Sequence, residues 1–150
     1  MDLLGSKQYN LDAKARLTLP ADFRREIGDV VCLIPLKDAV YGFAPADYDA
    51  WVDSFFSGEG RSYDPRNREH VRLKRGLTAH TVKVDVDAAG RVALGKIDAV
   101  DPTARERLGL GRGVTVVGVG DHFEVWNSER WLAENGDFAD DLDALMFGAE

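Results

Sequence analysis

The 150-residue chain has one cysteine, three histidines and no surplus of positive charge. Each scarcity excludes something. A lone Cys32 cannot form an internal disulfide, and its place in the run Val30-Val31-Cys32-Leu33-Ile34 makes it a small hydrophobe in a strand. His70, His80 and His122 are scattered, with no Cys or carboxylate at ligand spacing, so no metal site is expected. No Ser-His-Asp or Cys-His arrangement is visible, and no Gly-rich loop joins a strand to a helix. Gly118 and Gly120 are followed by another strand and read as a strand-to-strand turn. Neither an enzyme nor a cofactor is expected. No apolar run approaches the roughly 18 residues of a membrane span. The first residues lack the apolar centre of a secretory signal, so the expected location is cytoplasmic.

A net charge of −7 looks wrong for a nucleic-acid binder, but its distribution is uneven. From Asp121 onward there are nine acids and one base, so the rest of the chain sums to +1. Residues 1–25 hold five bases against three acids, and residues 61–91 hold eight against four. Global acidity therefore neither supports nor excludes DNA as a partner.

What is present is a pattern that occurs twice. Leu11-Asp12-Ala13-Lys14-Ala15-Arg16-Leu17-Thr18-Leu19 is echoed 75 residues later by Val86-Asp87-Ala88-Ala89-Gly90-Arg91-Val92-Ala93-Leu94. Both read as apolar, Asp, three small or polar residues, Arg, apolar, any, Leu, which suggests one structural unit used twice. Further on, Arg24-Arg25-Glu26-Ile27-Gly28 resembles Arg105-Glu106-Arg107-Leu108-Gly109 at an offset of 81, so the second unit is six residues longer there.

Around these anchors the expected order is strand, turn, strand, helix, strand, strand, helix, run twice. In the first unit an extended stretch at Tyr9-Asn10-Leu11 precedes the turn, and Leu17/Leu19 alternate about Thr18 as in a half-buried strand. Pro20 suits the first turn of a helix from Ala21 to Ile27, ended by Gly28. Val30–Ile34 and Val40–Phe43 read as strands, and Pro45 opens a helix whose Tyr48, Trp51, Val52, Phe55 and Phe56 form a core-facing stripe. Asp64-Pro65 reads as the cap of a basic connecting helix running towards Leu77. In the second unit, Val82, Val84 and Val86 alternate with polar residues, and Val92 and Leu94 follow the turn. A looser stretch, Gly95–Asp101, leads to a helix from about Pro102 to Leu108. Val114–Val119 and His122–Trp126 are the last two strands, and Asn127 or Ser128 caps the next helix. Asp137 can cap a final helix with the stripe Phe138, Leu142, Leu145 and Met146. The expected fold class is α+β, mostly β, with two pseudo-symmetric units around a small barrel-like core. The expected divisions are 1–60, a basic connector 61–80, 81–133 and an acidic tail 134–150.

An Asp at the start of a tight connection accepts hydrogen bonds from the amides that follow it. An Arg four residues on lies on the returning strand, within reach of that Asp. So held, its fork can face phosphate oxygens or guanine edges. Lys14 adds a mobile charge at the first tip. A plainer reading is that each pair only staples a hairpin, since exposed ion pairs contribute about 0–1 kcal/mol. The basic helix, with Arg61, Arg66, Arg68, Arg72, Lys74 and Arg75 in or just before it, is either a solvated connector or part of an electropositive surface.

The motifs together resemble the MraZ family of bacterial transcriptional regulators, built from two SpoVT–AbrB-type repeats. They are Gly5, Asn10-Leu11-Asp12-x-Lys14-x-Arg16-Leu17, Leu19-Pro20-x-x-Phe23-Arg24, Asp87-x-x-Gly90-Arg91, Val116-Val117-Gly118-Val119-Gly120, Glu124-Val125-Trp126 and Glu129-Arg130-Trp131. The resemblance implies DNA contact by the turns Asp12/Arg16 and Asp87/Arg91; with the mobile charge of Lys14, the expected DNA-binding residues are Lys14, Arg16 and Arg91, oriented by Asp12 and Asp87. It also implies a ring-shaped homo-oligomer, nucleoid-associated, on promoter DNA with direct repeats in the division and cell-wall gene cluster. Three departures stand out. Ala15 occupies a position where the family usually has Gly, Gly95 stands where a proline often follows the strand, and the second unit carries its six-residue insertion. These departures and the acidic tail leave a rival expectation, an interaction ring with weak or lost DNA binding.

Overall fold

In the computed structural model, which describes residues 2–148, eight strands and six α-helices form a mixed α+β fold. The first unit comprises β1 (Ser6–Asn10), β2 (Arg16–Thr18), α1 (Ala21–Ile27), β3 (Val30–Pro35), β4 (Val40–Phe43) and α2 (Pro45–Ser54). After the connecting helix α3 (Arg68–Ala79) come β5 (Val82–Asp85), β6 (Arg91–Ala93), a 3-10 segment (Leu94–Ala99) and α4 (Ala104–Arg107). The chain continues through β7 (Gly113–Gly118), β8 (Phe123–Asn127) and α5 (Ser128–Asn135) to the terminal α6 (Phe138–Phe147). The twice-run strand and helix order is present.

The units interleave. One antiparallel sheet has the order β1-β7-β8-β4-β3-β5, so each outer strand pairs with a strand of the other unit. At its centre β4 pairs with β8, Tyr41 opposite Glu124 and Gly42 opposite Phe123. The sheet is open, ending at β1 and β5. From each edge the chain turns once and enters a separate antiparallel ribbon, β2 with β6, in which Leu17 faces Val92. The result is a barrel-like core roofed by a ribbon that both units build.

Burial follows the strand period. Leu17 and Val92 point from the ribbon into a main cluster with Val31, Leu33, Phe23, Val116, Phe123 and Val125. The alternate residues of the first unit's strands, Cys32, Ile34 and Phe43, enter a second cluster with Tyr48, Trp51 and Leu77. The unbroken apolar run of β3 is thus buried on both faces. Leu77 also fixes α3 on the side of the sheet away from the ribbon.

Several local expectations are corrected. The cap of α3 is Asn67, whose side chain accepts from the amides of Glu69 and His70. Asp64 instead closes a preceding turn by accepting from the Arg66 amide. Phe55 lies outside the α2 stripe at 49% exposure, at the helix end where the chain has begun to turn. Asp137 precedes α6 without a side-chain capping bond. Much of the six-residue insertion is accommodated by the 3-10 segment, where a looser stretch was expected, and α4 is correspondingly short. The expected acidic tail extends to Glu150, and its last two residues lie outside the described residues.

Candidate nucleic-acid interface

Each turn is held by the same five hydrogen bonds. In the first, one Asp12 carboxylate oxygen accepts from the amides of Lys14 and Arg16, both at 2.9 Å. The other oxygen accepts from Arg16 Nε at 2.7 Å. Two backbone bonds complete it, the Ala15 amide to the Asp12 carbonyl and the Asp12 amide to the Arg16 carbonyl, at 3.0 and 3.1 Å. In the second, Asp87 accepts from the amides of Ala89 and Arg91 at 2.9 Å and from Arg91 Nε at 2.8 Å. Gly90 and Asp87 supply the matching backbone bonds at 2.9 and 3.0 Å.

Such a turn needs one residue in the left-handed region. Gly90 has φ 78 and Ala15 φ 57, so the first turn holds an alanine in the conformation glycine favours. Hydrogen bonds from the following amides, above all that of Arg16, hold the Asp12 carboxyl below its ordinary value; Asp87 is held down chiefly by the Arg91 amide. Both aspartates therefore stay ionised to lower pH than free carboxyls.

The ribbon sets the arginines relative to one another. Arg16 is opposite Ala93, and Thr18 is opposite Arg91. Since Leu17 and Val92 face the core, Arg16, Thr18 and Arg91 share the opposite, outward face. The two arginines sit diagonally across the strand pair, a spacing of about 7–8 Å between Cα atoms in such ribbons. Reciprocal backbone bonds lock the arrangement: the Leu19 amide donates to the Gly90 carbonyl at 2.9 Å, and the Leu94 amide to the Ala15 carbonyl at 3.1 Å. Among the described residues each guanidinium uses only Nε on protein, leaving both terminal nitrogens open. Lys14 is exposed at the first tip; the second carries Ala89 there.

One contributor escaped the sequence reading. Arg24, on α1 of the first unit, donates from Nη2 to the Ala88 carbonyl of the second turn at 2.7 Å. Its Cδ lies so close to Gly90 that a Cβ there would sit 3.0 Å away. The internal alignment carried a signal, since Arg24 and Arg105 occupy matching positions. Arg105 lies near Gly95 and donates from Nη2 to the Leu110 carbonyl at 3.3 Å, with no bond to a carbonyl of the first turn.

The basic residues of α3 do not join this face, because the sheet stands between them and the ribbon. The histidines occupy three separate settings. His70 packs on Phe56 and Tyr63, His80 bonds the Gly76 carbonyl, and His122 lies between Asp121 and Glu124. Trp51 and Trp126 are packed into the body of the protein, with Trp131 edge-on to Trp126. No helix among the described residues is long and apolar enough to cross a membrane.

These features define a class: a single chain in which two copies of a strand-rich unit share one core and present paired, carboxylate-braced arginines on a common ribbon. The family described as "MraZ protein, putative antitoxin-like" matches residues 3–64 and 77–135. The chain belongs to the MraZ family. It is 33% identical over 134 residues to the "Transcriptional regulator MraZ" of Syntrophomonas wolfei, covering 88% of this chain and 85% of that protein. Against the protein of that name from Halorhodospira halophila the figures are 31% over 139 residues, 89% and 85%. Against that of Leuconostoc mesenteroides they are 28% over 147 residues, 97% and 94%.

Proposed function

We propose that this protein is a sequence-specific DNA-binding transcriptional regulator, with Arg16 and Arg91 as its reading residues. The observation that carries this is the pair of open guanidinium forks, fixed by identical turns on one face of a two-stranded ribbon. A ribbon of this width enters the major groove, where an arginine fork matches the O6 and N7 acceptors of guanine. Lys14 takes a phosphate beside the first turn. Asp12 and Asp87 position the forks without touching DNA. The names of the relatives support regulation as the role, and the family resemblance supports a promoter of the division and cell-wall cluster, its own included.

Two arginines per chain make a small contact, so several copies must act together. Joining them in a ring on direct repeats raises the effective concentration of each later contact. Self-association is supported by the apolar stripe of α6, where Leu145 is 82% and Met146 62% exposed. The basic outer face of α3, which the DNA surface does not use, supplies a complementary partner on the next copy.

Gel-shift titration on the upstream region of the protein's own operon tests the assignment. Arg16→Ala is expected to lower affinity about 10- to 100-fold per lost contact, with oligomer size unchanged. Wild-type affinity in that variant would remove the turn from the interface. An interaction ring without DNA function would show no shift even at low ionic strength.

A further inference from the structure

Beside the second turn lies a cleft of about 540 Å³ lined by Thr18, Leu19, Ala21, Arg24, Arg25 and Ala89. It opens at the reading face, because Thr18 stands directly opposite Arg91 on the outward side of the ribbon. Two guanidinium groups border it, and both come from the first unit. Arg24 spends one terminal nitrogen on the Ala88 carbonyl and has no further protein partner among the described residues; both arginines are exposed.

We infer that this cleft binds a DNA backbone phosphate, and that Arg24 lends the second turn the cation which Lys14 gives the first. This deepens the proposed DNA-binding role and rests on it. Ala89 stands where the matching residue of the first turn is Lys14, so the second tip carries no cation of its own. Gly90 leaves the room that Arg24 occupies, since any side chain there would crowd its Cδ. The bond to Ala88 fixes the guanidinium at the turn and leaves its other nitrogens for oxygen acceptors. The matching Arg105 makes no such bond to the first turn and donates from Nη2 to Leu110, consistent with a turn that already has Lys14. The two turns thus gain one cation each by different routes. Arg24 is a phosphate-binding residue for the half of the site that its own unit does not build.

The test compares Arg24→Ala, Arg24→Lys and the double variant Arg24→Ala/Ala89→Lys with wild type on the same operon DNA across a salt series. Circular dichroism and thermal melting confirm folding. Removing one phosphate contact lowers the slope of log K against log salt by about 0.9 per subunit engaged. Arg24→Ala is expected to weaken binding on the order of tenfold with that reduced slope. Arg24→Lys should keep the slope, and Ala89→Lys should restore it in the double variant. An unchanged slope in Arg24→Ala, whether or not affinity falls, or no rescue by Ala89→Lys, would overturn the inference. Failure of wild type itself to bind DNA would instead overturn the proposed function, and with it this site. Binding lost in Arg16→Ala but unaltered in Arg24→Ala would overturn the cleft alone.

Discussion

Ala15 and Gly90 do the same conformational work with different residues, and that difference is measurable. A non-glycine residue in the left-handed region costs roughly 1–2 kcal/mol, partly offset because alanine restricts the unfolded chain by about 0.4–1 kcal/mol. Ala15→Gly is therefore expected to stabilise the protein by up to ~1 kcal/mol in chemical denaturation. Gly90→Ala is expected to destabilise it by about 1–2 kcal/mol or more, since the strained φ of 78 is joined by crowding against Arg24. The turn carboxylates add a pH dependence. Their folded pKa values are lowered, so their contribution to stability is present above the ordinary carboxylate value of 3.8. It is lost as pH falls through the folded values. Asp12→Asn should remove the Asp12 share of that acid dependence and weaken DNA binding at neutral pH, as read by NMR titration and gel shift. The turns were legible in the sequence because every bond that holds them spans four residues or fewer. Arg24 was not, because its acceptor lies 64 residues away and is a backbone carbonyl that no side-chain pattern announces.

Among the elements, the pairing of β4 with β8 carries the most constraint, since it joins the two units at the centre of the sheet. Gly42 lies opposite Phe123, and a Cβ on Gly42 would overlap the buried Phe123 ring. Gly42→Ala is expected to cost about 1–3 kcal/mol, seen as a lowered denaturation midpoint with unchanged slope. Next to this pair His122 is stacked on Tyr41 and Phe43, with ring nitrogens 2.7 Å from Asp121 and 3.2 Å from Glu124. Burial alone would lower the His122 pKa, but the two carboxylates outweigh it and hold it above 6.5. Burial likewise pushes Glu124 up, and hydrogen bonds from His122 and Trp126 Nε1 outweigh that and hold it below 4.5. The signs then follow by linkage. The histidine contribution is complete below 6.5 and lost as pH rises through its raised folded value. That of Glu124 is present above 4.5 and lost as pH falls through its lowered one. Thermal stability should be greatest between these limits, and His122→Gln should flatten the alkaline limb. Elements of this kind were legible wherever apolar periodicity was strong. Caps were less so: Asp64 and Asn67 are both competent before α3 and only the path of the chain selects Asn67, while Asp137 precedes α6 without a capping bond.

At the scale of the molecule, the duplication was readable but its interleaving was not. Alternating apolar residues fix which face of a strand is buried, not which strand lies beside it. The pairings of β1 with β7 and β3 with β5 therefore left no mark in the sequence. Interleaving has a consequence for charge. It places the ribbon on one side of the sheet and α3 on the other, so the basic connector lies away from the proposed DNA-binding face of its own copy. Beside α3 lies a shallow groove lined by Leu73, Gly76 and the half-buried Leu77 and bordered by Arg72 and Glu69, with Arg68 and Arg75 nearby. On α6 the stripe Phe138, Leu142, Leu145 and Met146 is accompanied by Asp140, Asp141 and Asp143. Between Glu134 and Phe147 there are five acids and no base, against six bases and two acids from Arg61 to Ala79. Apolar strip and opposite charge match, and a head-to-tail contact of this kind generates a closed ring when its rotation closes. Reversing charge on α6, Asp140→Arg with Asp141→Arg, is therefore expected to reduce the proposed self-association, measured by light scattering at low salt. Arg72→Glu with Arg75→Glu should reduce it likewise. Mixing the two variants should restore assembly, because each supplies the charge the other now lacks. Assemblies of wild-type size in both single-helix variants would place α6 outside the contact between copies.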